Sequence, residues 1–491
     1  MPGLIKSTAI LAFARITNFS LLFLSPVLLV RFLDTHTFGQ YREFMVYATL
    51  ISMLAGFSVK SNLLYFIPKD PDRTRNYVNN TIWIVFGTSL IASIILFIFR
   101  DPLFSKTSFD FLVPLTGYVL LFTNLDILES YWIAKKQPNN VFLYSVARTI
   151  GRLGAVLGTA MYSPTVDALI RTLLIVETIR ILAVVFIMVK LHFKPTFVDR
   201  SVIEQQLAFI VPLGLAGSLQ YLNQYIGQIA ISTQLGVVAL AIYAIGAYQV
   251  PVLRIVRGSI NDSIFPDMVR QASEDGPNNL SLWKRSNIAY TFLIVPTFAL
   301  LFCYADVLIP LVFTDEYAGA VPIFRILVSV MVIQCFEFSS PLRAINRNKL
   351  LLFSNVILLA VNLLIIIIFF RFIESHAIYG PAFAVVLAYI VQLIFLGWSI
   401  TRTYSISPGD LMKWRSLAVI FTSVAFSSVA LLVGELTGLP DFVRLPVFTL
   451  IFSILYFLLI RRAQLEEVET LIHTLQRKWV RKSADRKRKL K

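Results

Sequence analysis

Charged residues are scarce in this sequence. Asp, Glu, Lys and Arg make up 15% of its 491 residues, whereas they make up about 25% of an average soluble domain. Hydrophobic residues reach 57%, and the mean hydropathy is +0.74. A chain of this composition lacks the polar surface that two or three soluble domains would need. The composition therefore argues against a soluble enzyme and favours a membrane protein.

Cysteine and histidine are also rare. Cys303 and Cys335 lie in or beside apolar runs, and the four histidines are scattered through predicted loops and the tail. These positions form no disulfide framework and no metal-ligand pattern. The sequence has no glycine-rich phosphate loop, and its longest internal loop, about 263–285, is too short for a catalytic domain. We therefore expect no metal, no cofactor and no enzymatic activity.

What is abundant is apolar sequence, in runs of about 20 residues, the length that crosses a bilayer core of about 30 Å. Such continuous runs form helices, because the strands of a membrane barrel alternate in polarity over about ten residues. The predicted fold class is an all-α polytopic membrane protein with about fourteen transmembrane helices. The helices are predicted at about 9–30, 43–66, 80–99, 111–133, 141–161, 169–189, 206–233, 237–262, 286–305, 321–340, 350–372, 377–401, 414–434 and 442–460.

The distribution of Lys and Arg predicts the orientation. With a cytoplasmic N-terminus, the inner segments hold 29 basic residues and the outer loops hold 6, among them Arg31 and Arg42. Cytoplasmic loops carry such an excess. The pattern predicts a bacterial cytoplasmic (inner) membrane protein with both termini inside. The first apolar run has no convincing cleavage site, so we interpret it as a helix and not as a signal peptide.

The tail, 461–491, has two parts. Apolar residues recur with helical spacing from Leu465 to Val480, and a polybasic stretch follows. This pattern is typical of an amphipathic helix on anionic membrane lipids. Nucleic acid is the other ligand that such a cluster can bind, but the neighbouring membrane spans favour lipid, and we expect no nucleic-acid partner.

Two parts of the chain have similar sequence patterns. LDTHTFGQY at 33–41 and LGVVALAIY at 235–243 each form a short outer connection before an apolar helix. Internal repeats are common in transporters, which place the substrate between the halves. This internal similarity suggests an N-lobe of helices 1–6 over 1–200 and a C-lobe of helices 7–12 over 201–405. Two extra helices over 406–460 and the tail complete the predicted organisation.

Three stretches carry a family resemblance. They are LGVVALAIYAIGAY at 235–248 running on to Pro266, PLVFTDEYAGA at 310–320 leading to FRIL at 324–327, and IYGPA at 378–382. With these stretches the chain resembles the MOP superfamily, in its polysaccharide and O-antigen flippase branch, over nearly its whole length.

The resemblance implies two six-helix lobes around a central cavity that opens alternately to the two sides of the membrane. It implies a flippase that moves a polyprenyl-diphosphate-linked oligosaccharide from the inner to the outer leaflet for surface polysaccharide assembly. Polysaccharide polymerase or assembly proteins are the partners it implies. A cation-coupled drug exporter of the same superfamily is the alternative function.

Basic residues within the spans are the strongest candidates for a substrate site, because an ionisable residue there normally faces a cavity or a partner. In the family that the chain resembles, helices 1, 2, 7 and 8 line the cavity. No carboxylate is expected on helix 1 or midway along helix 2. Guanidinium and ammonium groups bind phosphate, so a diphosphate site is one interpretation, and contact with lipid headgroups is the other. The candidates are Arg15, Lys60, Arg254 and Arg257.

Helix 7 carries a stripe of amides at helical spacing, Gln220, Asn223, Gln224 and Gln228. Amides hydrogen-bond sugar hydroxyls, and they also join transmembrane helices. Both interpretations stay open. Pro251 on helix 8 precedes the two arginines, and a proline kink there could couple gating to binding.

The remaining buried charges have two interpretations, mutual neutralisation inside the first lobe or a role in coupling. They are Asp126, Glu129, Arg148, Arg152, Glu177 and Arg180, with Glu337 in the second lobe as a further proton-carrier candidate. Drug exporters of the superfamily typically need carboxylates near the cavity. The cationic cavity helices expected here favour an anionic substrate.

Overall fold

The computed structural model describes residues 2–100, 111–123, 126–191, 193, 199–248, 264–265, 267–270 and 280–465. Within these ranges the chain is almost entirely helical and has no strand, so the predicted all-α fold class is confirmed. Pro251, Arg254 and Arg257 lie outside the described residues, as does the tail from 466 onwards.

Contacts divide the chain into two compact units. The first comprises Met1–Ile245, Val312–Tyr317 and Leu363–Pro381, and the second comprises Gly246–Leu311, Ala318–Asn362 and Ala382–Lys491. The helix Arg200–Leu235, which the sequence places at the start of the C-lobe, therefore makes its contacts within the first unit. The lobe boundaries at 200 and 405 stay a prediction.

Up to Gly246 the described part of the chain contains ten α-helices and one turn of 3₁₀ helix at Pro71–Arg73. They are α1 (Pro2–Leu29), α2 (Thr35–Gly56), α3 (Val59–Lys69), α4 (Thr74–Ile98), α5 (Leu112–Thr123), α6 (Asp126–Ala134), α7 (Pro138–Tyr162), α8 (Val166–Lys190), α9 (Arg200–Leu235) and α10 (Val237–Gly246).

Nine further α-helices follow, with 3₁₀ turns at Asp315–Ala320, Glu374–Tyr379 and Pro408–Asp410. They are α11 (Ser281–Cys303), α12 (Ala305–Phe313), α13 (Val321–Val328), α14 (Val330–Gln334), α15 (Ser339–Ala344), α16 (Asn348–Phe372), α17 (Gly380–Tyr404), α18 (Trp414–Leu436) and α19 (Asp441–Arg462).

These helices fit a chain that crosses the membrane many times. Eleven described helical segments are long and apolar enough to span, and three shorter apolar helices accompany them at Ile16–Leu29, Leu112–Leu121 and Val237–Gly246. Large apolar side chains cover the outside, as Ile98 and Ile394 do with about two thirds of their surface exposed. Such a surface suits lipid, in which apolar side chains need no burial.

Helix 2 differs from its prediction. It begins at Thr35 and not at 43, because the Asp34 carboxylate accepts a hydrogen bond of 2.6 Å from the Thr37 N–H and caps the helix. Arg42, expected in an outer loop, and Glu43 therefore lie inside the helix. The expectation that helix 2 carries no internal carboxylate was wrong.

Two predicted spans are interrupted. The predicted helix at 43–66 ends at Gly56 and restarts at Val59 as α3. The one at 321–340 appears as the short helices α13, α14 and α15. Hydropathy averages over about 20 residues, so it cannot register such short breaks.

Candidate functional site

The break in helix 2 has an unusual backbone conformation. Phe57 and Ser58 have φ of 38° and 57°, in the left-handed region that bulky residues rarely adopt. Such strained conformations cost about 1–3 kcal/mol each and cluster at functional sites. Inside a membrane, non-helical backbone is tolerated only beside protein or a water-filled cavity. The break is therefore a candidate part of a substrate pathway.

Helix α9 packs closely on this break. A Cβ on Gly214 would lie 2.6 Å from the Phe57 ring, and a Cβ on Gly217 would lie 3.6 Å from the Ser58 Oγ. Only glycine at 214 lets the two backbones approach this far without displacing the ring. The break and the middle of α9, where Gln220 is exposed one turn later, thus form one surface.

The break leaves the N-terminus of α3 beside a lysine. Ser58 precedes α3 and makes no side-chain cap hydrogen bond, and Lys60 is exposed in the first turn. The first N–H groups of a helix and its dipole favour anions. Half-helix N-termini bind anionic substrate groups in many transporters. Together with the Lys60 ammonium, this end of α3 can hold a phosphate.

Only part of the predicted cationic site is described. Arg15 lies in α1, but the placement of its side chain is not described. Near it, the Thr149 Oγ1 of α7 donates a hydrogen bond of 2.9 Å to the Asn18 Oδ1 and fixes α1 against α7. Arg254 and Arg257 lie outside the described residues, and Lys60 is exposed in the first turn of α3.

The amide stripe of predicted helix 7, which is α9 in the structure, divides into two parts. Gln220 and Gln224 are exposed and Asn223 is half-buried. Gln228 is buried, and its Oε1 accepts hydrogen bonds of 3.2 and 2.9 Å from the Nε and Nη2 of Arg42. Gln228 therefore joins α9 to α2, whereas the exposed amides stay candidate sugar contacts.

Glu43 is a buried carboxylate that the sequence interpretation missed. It is 1% exposed on α2, and the Ser232 Oγ of α9 donates a hydrogen bond to its Oε1. Adjacent residues of α2 thus contact residues one turn apart on α9, Arg42 with Gln228 and Glu43 with Ser232. Asp34 carries the signal that could have revealed it, because an aspartate directly before an apolar helical run marks a helix start.

The remaining charges of the first unit lie close to one another. Glu177 and Arg180 on α8 form a buried ion pair at 2.5 Å. Glu129 on α6 and Arg148 on α7 form a half-buried pair at 3.6 Å. The side chain of Asp126 is not described.

Arg152 on α7 joins the same region of the first unit. Its guanidinium lies 5.8 Å from the ring centroid of Tyr118, and its Nη2 contacts the Sδ of Met45 at 3.5 Å. Whether these groups take part in coupling stays a prediction.

Glu337 has a structural position at the break between α14 and α15. Its carboxylate accepts hydrogen bonds from the Ser339 hydroxyl and, at 3.1 Å, from the Ser340 N–H, so it caps α15. Its own carbonyl accepts a hydrogen bond of 2.5 Å from the Trp283 Nε1. The residue is 5% exposed. Its role as a proton carrier stays a prediction.

Three solved structures with a similar fold are distant in sequence. The lipid II flippase MurJ in an inward closed conformation matches with a TM-score of 0.69 and 14% identity, over 93% of this chain and 98% of that one. The eukaryotic MATE transporter AtDTX14 matches at 0.54 and 13%, over 81% and 96%. A MOP superfamily transporter from Pyrococcus furiosus, described as having a binding pocket of reverse polarity, matches at 0.55 and 15%, over 81% and 95%.

Comparison of the sequence with curated proteins and with protein-family models gave two results. No curated protein matches the sequence. A protein-family model described as polysaccharide biosynthesis protein matches residues 28–322, more than half of the chain. The matched part contains α2, α3 and α9, which form the helix-2 break and its surroundings. The chain belongs to this polysaccharide biosynthesis protein family, and it shares its fold with the solved transporters.

Proposed function

We propose that this protein is a flippase for a polyprenyl-diphosphate-linked oligosaccharide. It moves this substrate by alternating access from the inner to the outer leaflet of the bacterial cytoplasmic membrane, for surface polysaccharide assembly. It forms no covalent intermediate and is not an enzyme. Both termini lie in the cytoplasm, and the basic tail contacts anionic lipid.

The observation that carries the proposal is the anion-binding geometry at the helix-2 break. The N-terminus of α3 and the exposed Lys60 present positive charge at one point, where a diphosphate has two phosphoryl groups to neutralise. Exposed amides on α9, Gln220 and Gln224, lie along the helix that packs on the break and suit sugar hydroxyls. Arg15, Arg254 and Arg257 are proposed as further diphosphate contacts.

A cation-coupled exporter is the second candidate, and one observation favours it. Glu43 and Glu177 are fully buried carboxylates in the first unit, and such groups can bind protons or cations. Glu43, however, already contacts Ser232, and Glu177 pairs with Arg180. The exposed ionisable group at the break is a cation, which repels the organic cations that such exporters carry.

The first experiment tests the substrate class. The gene is deleted in its native host, and the surface glycan and the intracellular pool of lipid-linked oligosaccharide are measured together. We expect one surface polymer to disappear while its carrier-linked unit accumulates on the inner leaflet. Unchanged glycan and pools with increased sensitivity to cationic drugs would instead establish the exporter.

The second experiment tests the phosphate site. Lys60→Gln should reduce flipping in the complemented strain at least tenfold, because a hydrogen bond to a charged group contributes about 1.5–3 kcal/mol. Lys60→Arg should retain most of it. Lys190→Gln, at an exposed lysine at the end of α8, is the matched control and should have no effect. Equal activity of Lys60→Gln and Lys190→Gln would exclude Lys60 from the site.

A further inference from the structure

A groove in the second unit is not used by the proposed transport path. It has a volume of about 370 Å³ and is lined almost entirely by apolar and aromatic side chains. Leu393, Gly397 and Thr401 form its floor at four-residue intervals along α17, which gives it a length of about 12 Å. These dimensions suit a single extended hydrocarbon chain.

The interruption between α14 and α15 helps to create the groove. Phe336 and Phe338 lie in this interruption and form one wall, and Trp414 at the start of α18 forms another, with its ring centroid 6.5 Å from that of Phe336. Gly397 adds no side chain to the floor of the groove, and a Cβ there would lie 3.1 Å from the Phe338 ring. The groove is therefore a built feature of this helix junction.

The groove ends at a strongly basic surface. The Tyr404 hydroxyl donates a hydrogen bond of 2.9 Å to the Pro341 carbonyl, so the segments 335–349 and 402–415 meet at this end of the second unit. These segments contain six basic and two acidic residues, and one of the acids is the buried Glu337. Arg402 is exposed, and its guanidinium lies 4.8 Å from the ring centroid of Trp398, which lines the groove.

We propose that this groove binds an anionic phospholipid of the surrounding bilayer. One acyl chain lies along α17 against the aromatic side chains, and the headgroup phosphate lies at Arg402 and Arg415. Three properties of the site point to this ligand. The lining takes hydrocarbon, the half-exposed Trp398 and Trp414 suit the membrane interface, and the basic rim complements an anionic headgroup.

Native mass spectrometry of the purified full-length protein tests the proposal. The probes are dioleoyl phosphatidylglycerol and dioleoyl phosphatidylcholine, which share their acyl chains and differ in headgroup charge. We expect the phosphatidylglycerol to bind at least fivefold more tightly. Arg402→Gln should weaken phosphatidylglycerol binding about fivefold, since a basic residue near an anionic headgroup contributes about that factor. It should weaken phosphatidylcholine binding less, because the choline cation offsets the charge of the phosphate.

Gly397→Leu should weaken both lipids, because its side chain fills the groove. Gly87→Leu and Arg371→Gln are the matched controls. Gly87 has open space around it, and Arg371 is exposed in the first unit. Both controls should bind the two lipids with the affinity of the unchanged protein. This result would distinguish binding in the groove from binding to the polybasic tail, which all the variants retain. Equal binding of the two lipids, or an unchanged affinity in Gly397→Leu, would overturn the proposal.

A polyprenyl phosphate probe tests the other occupant. It should displace bound phosphatidylglycerol no more readily than the same concentration of added phosphatidylglycerol does. Displacement at a tenfold lower concentration would assign the groove to the carrier lipid and overturn the proposal. None of these measurements depends on transport, so the groove and the flippase function can fail separately.

Discussion

The two units bury polar groups in different ways. In the first unit Glu43, Glu177 and Arg180 are each less than a tenth exposed, and each contacts a polar or charged partner on its own helix or a neighbouring one. In the described part of the second unit, Glu337 is the one charged residue that is equally buried. The ion pairs recorded there, such as Arg325 with Asp306, have exposed members.

The two units hold their helices together in different ways. Lipid is as apolar as a leucine side chain, so helices in a membrane gain little from hydrophobic burial against each other. The first unit uses charged pairs, which are expensive to break once they are buried. The second unit uses aromatic packing around Trp283 and the carboxylate cap at its helix break.

Breaking the buried pair of the first unit should have the largest effect. Arg180→Ala leaves the carboxylate of Glu177 buried without its partner and should lower the free energy of unfolding by about 3–5 kcal/mol. Arg325→Ala in the second unit should cost less than about 1 kcal/mol, because that pair is partly exposed. Unfolding of the purified proteins in detergent, followed by circular dichroism against a denaturant, measures both.

A double variant sharpens this test. Glu177→Leu with Arg180→Met removes both charges and should restore most of the lost stability, because neither charge then remains buried alone. If Arg180→Ala were no more harmful than Arg325→Ala, the proposed contrast between the units would be wrong.

The contacts of α2 provide the second prediction. A Cβ on Gly39 would lie 2.2 Å from the Val237 carbonyl oxygen, a backbone atom that cannot rotate away. Gly39→Ala should therefore destabilise the protein by about 1–3 kcal/mol through overpacking. Gly87→Ala on α4, where the added Cβ meets nothing within 4 Å, should be neutral or stabilise by up to about 1 kcal/mol. The same unfolding measurement compares them, and equal effects would contradict the close approach at Gly39.

The cap in the second unit provides a third, smaller effect. Glu337→Ala removes the acceptor for the Ser340 N–H and should cost about 0.5–2 kcal/mol, the usual range for a lost helix cap. Glu337→Gln keeps one acceptor oxygen and should cost less. A loss as large as that of Arg180→Ala would mean that the second unit also depends on buried charge.

The fold class could be predicted from the sequence because it depends on composition and on the length of apolar runs. The breaks could not, because Phe57 and Ser58 are neither glycine nor proline and leave the hydropathy of the run unchanged. Lys60 lies within the predicted helix 2, but its position at the start of a separate helix became visible only from the backbone. Its role in binding stays a prediction. Glu43 was missed through an error of eight residues in one helix start.

The close pairs of the first unit were partly predictable. Glu177 and Arg180 are three residues apart on one helix, and this spacing alone brings side chains together. The pairing of Glu129 with Arg148 and of Arg42 with Gln228 depends on how separate helices pack, and no local spacing contains that information.

The smallest prediction compares one helix start in the first unit with one in the second. The Asp199 side chain caps α9, whereas α18 begins without a side-chain cap. The Ser201 hydroxyl donates to the Asp199 carboxylate at 2.9 Å and, with further donors from the Val202 N–H and Asn76, lowers the pKa of Asp199 below its ordinary value.

A lowered pKa in the folded state means that folding favours the ionised carboxylate. The contribution of this cap is therefore present above the ordinary pKa of aspartate, about 3.9, and is lost as the pH falls through the lower folded value. Hydrogen exchange, corrected for the intrinsic rate, should show the first turn of α9 losing protection as the pH is lowered from about 5 through the folded pKa, with no such loss at the start of α18. In Asp199→Asn the pH dependence at α9 should disappear. Equal loss at both helix starts would mean that acid acts on the whole protein and not through the carboxylate cap.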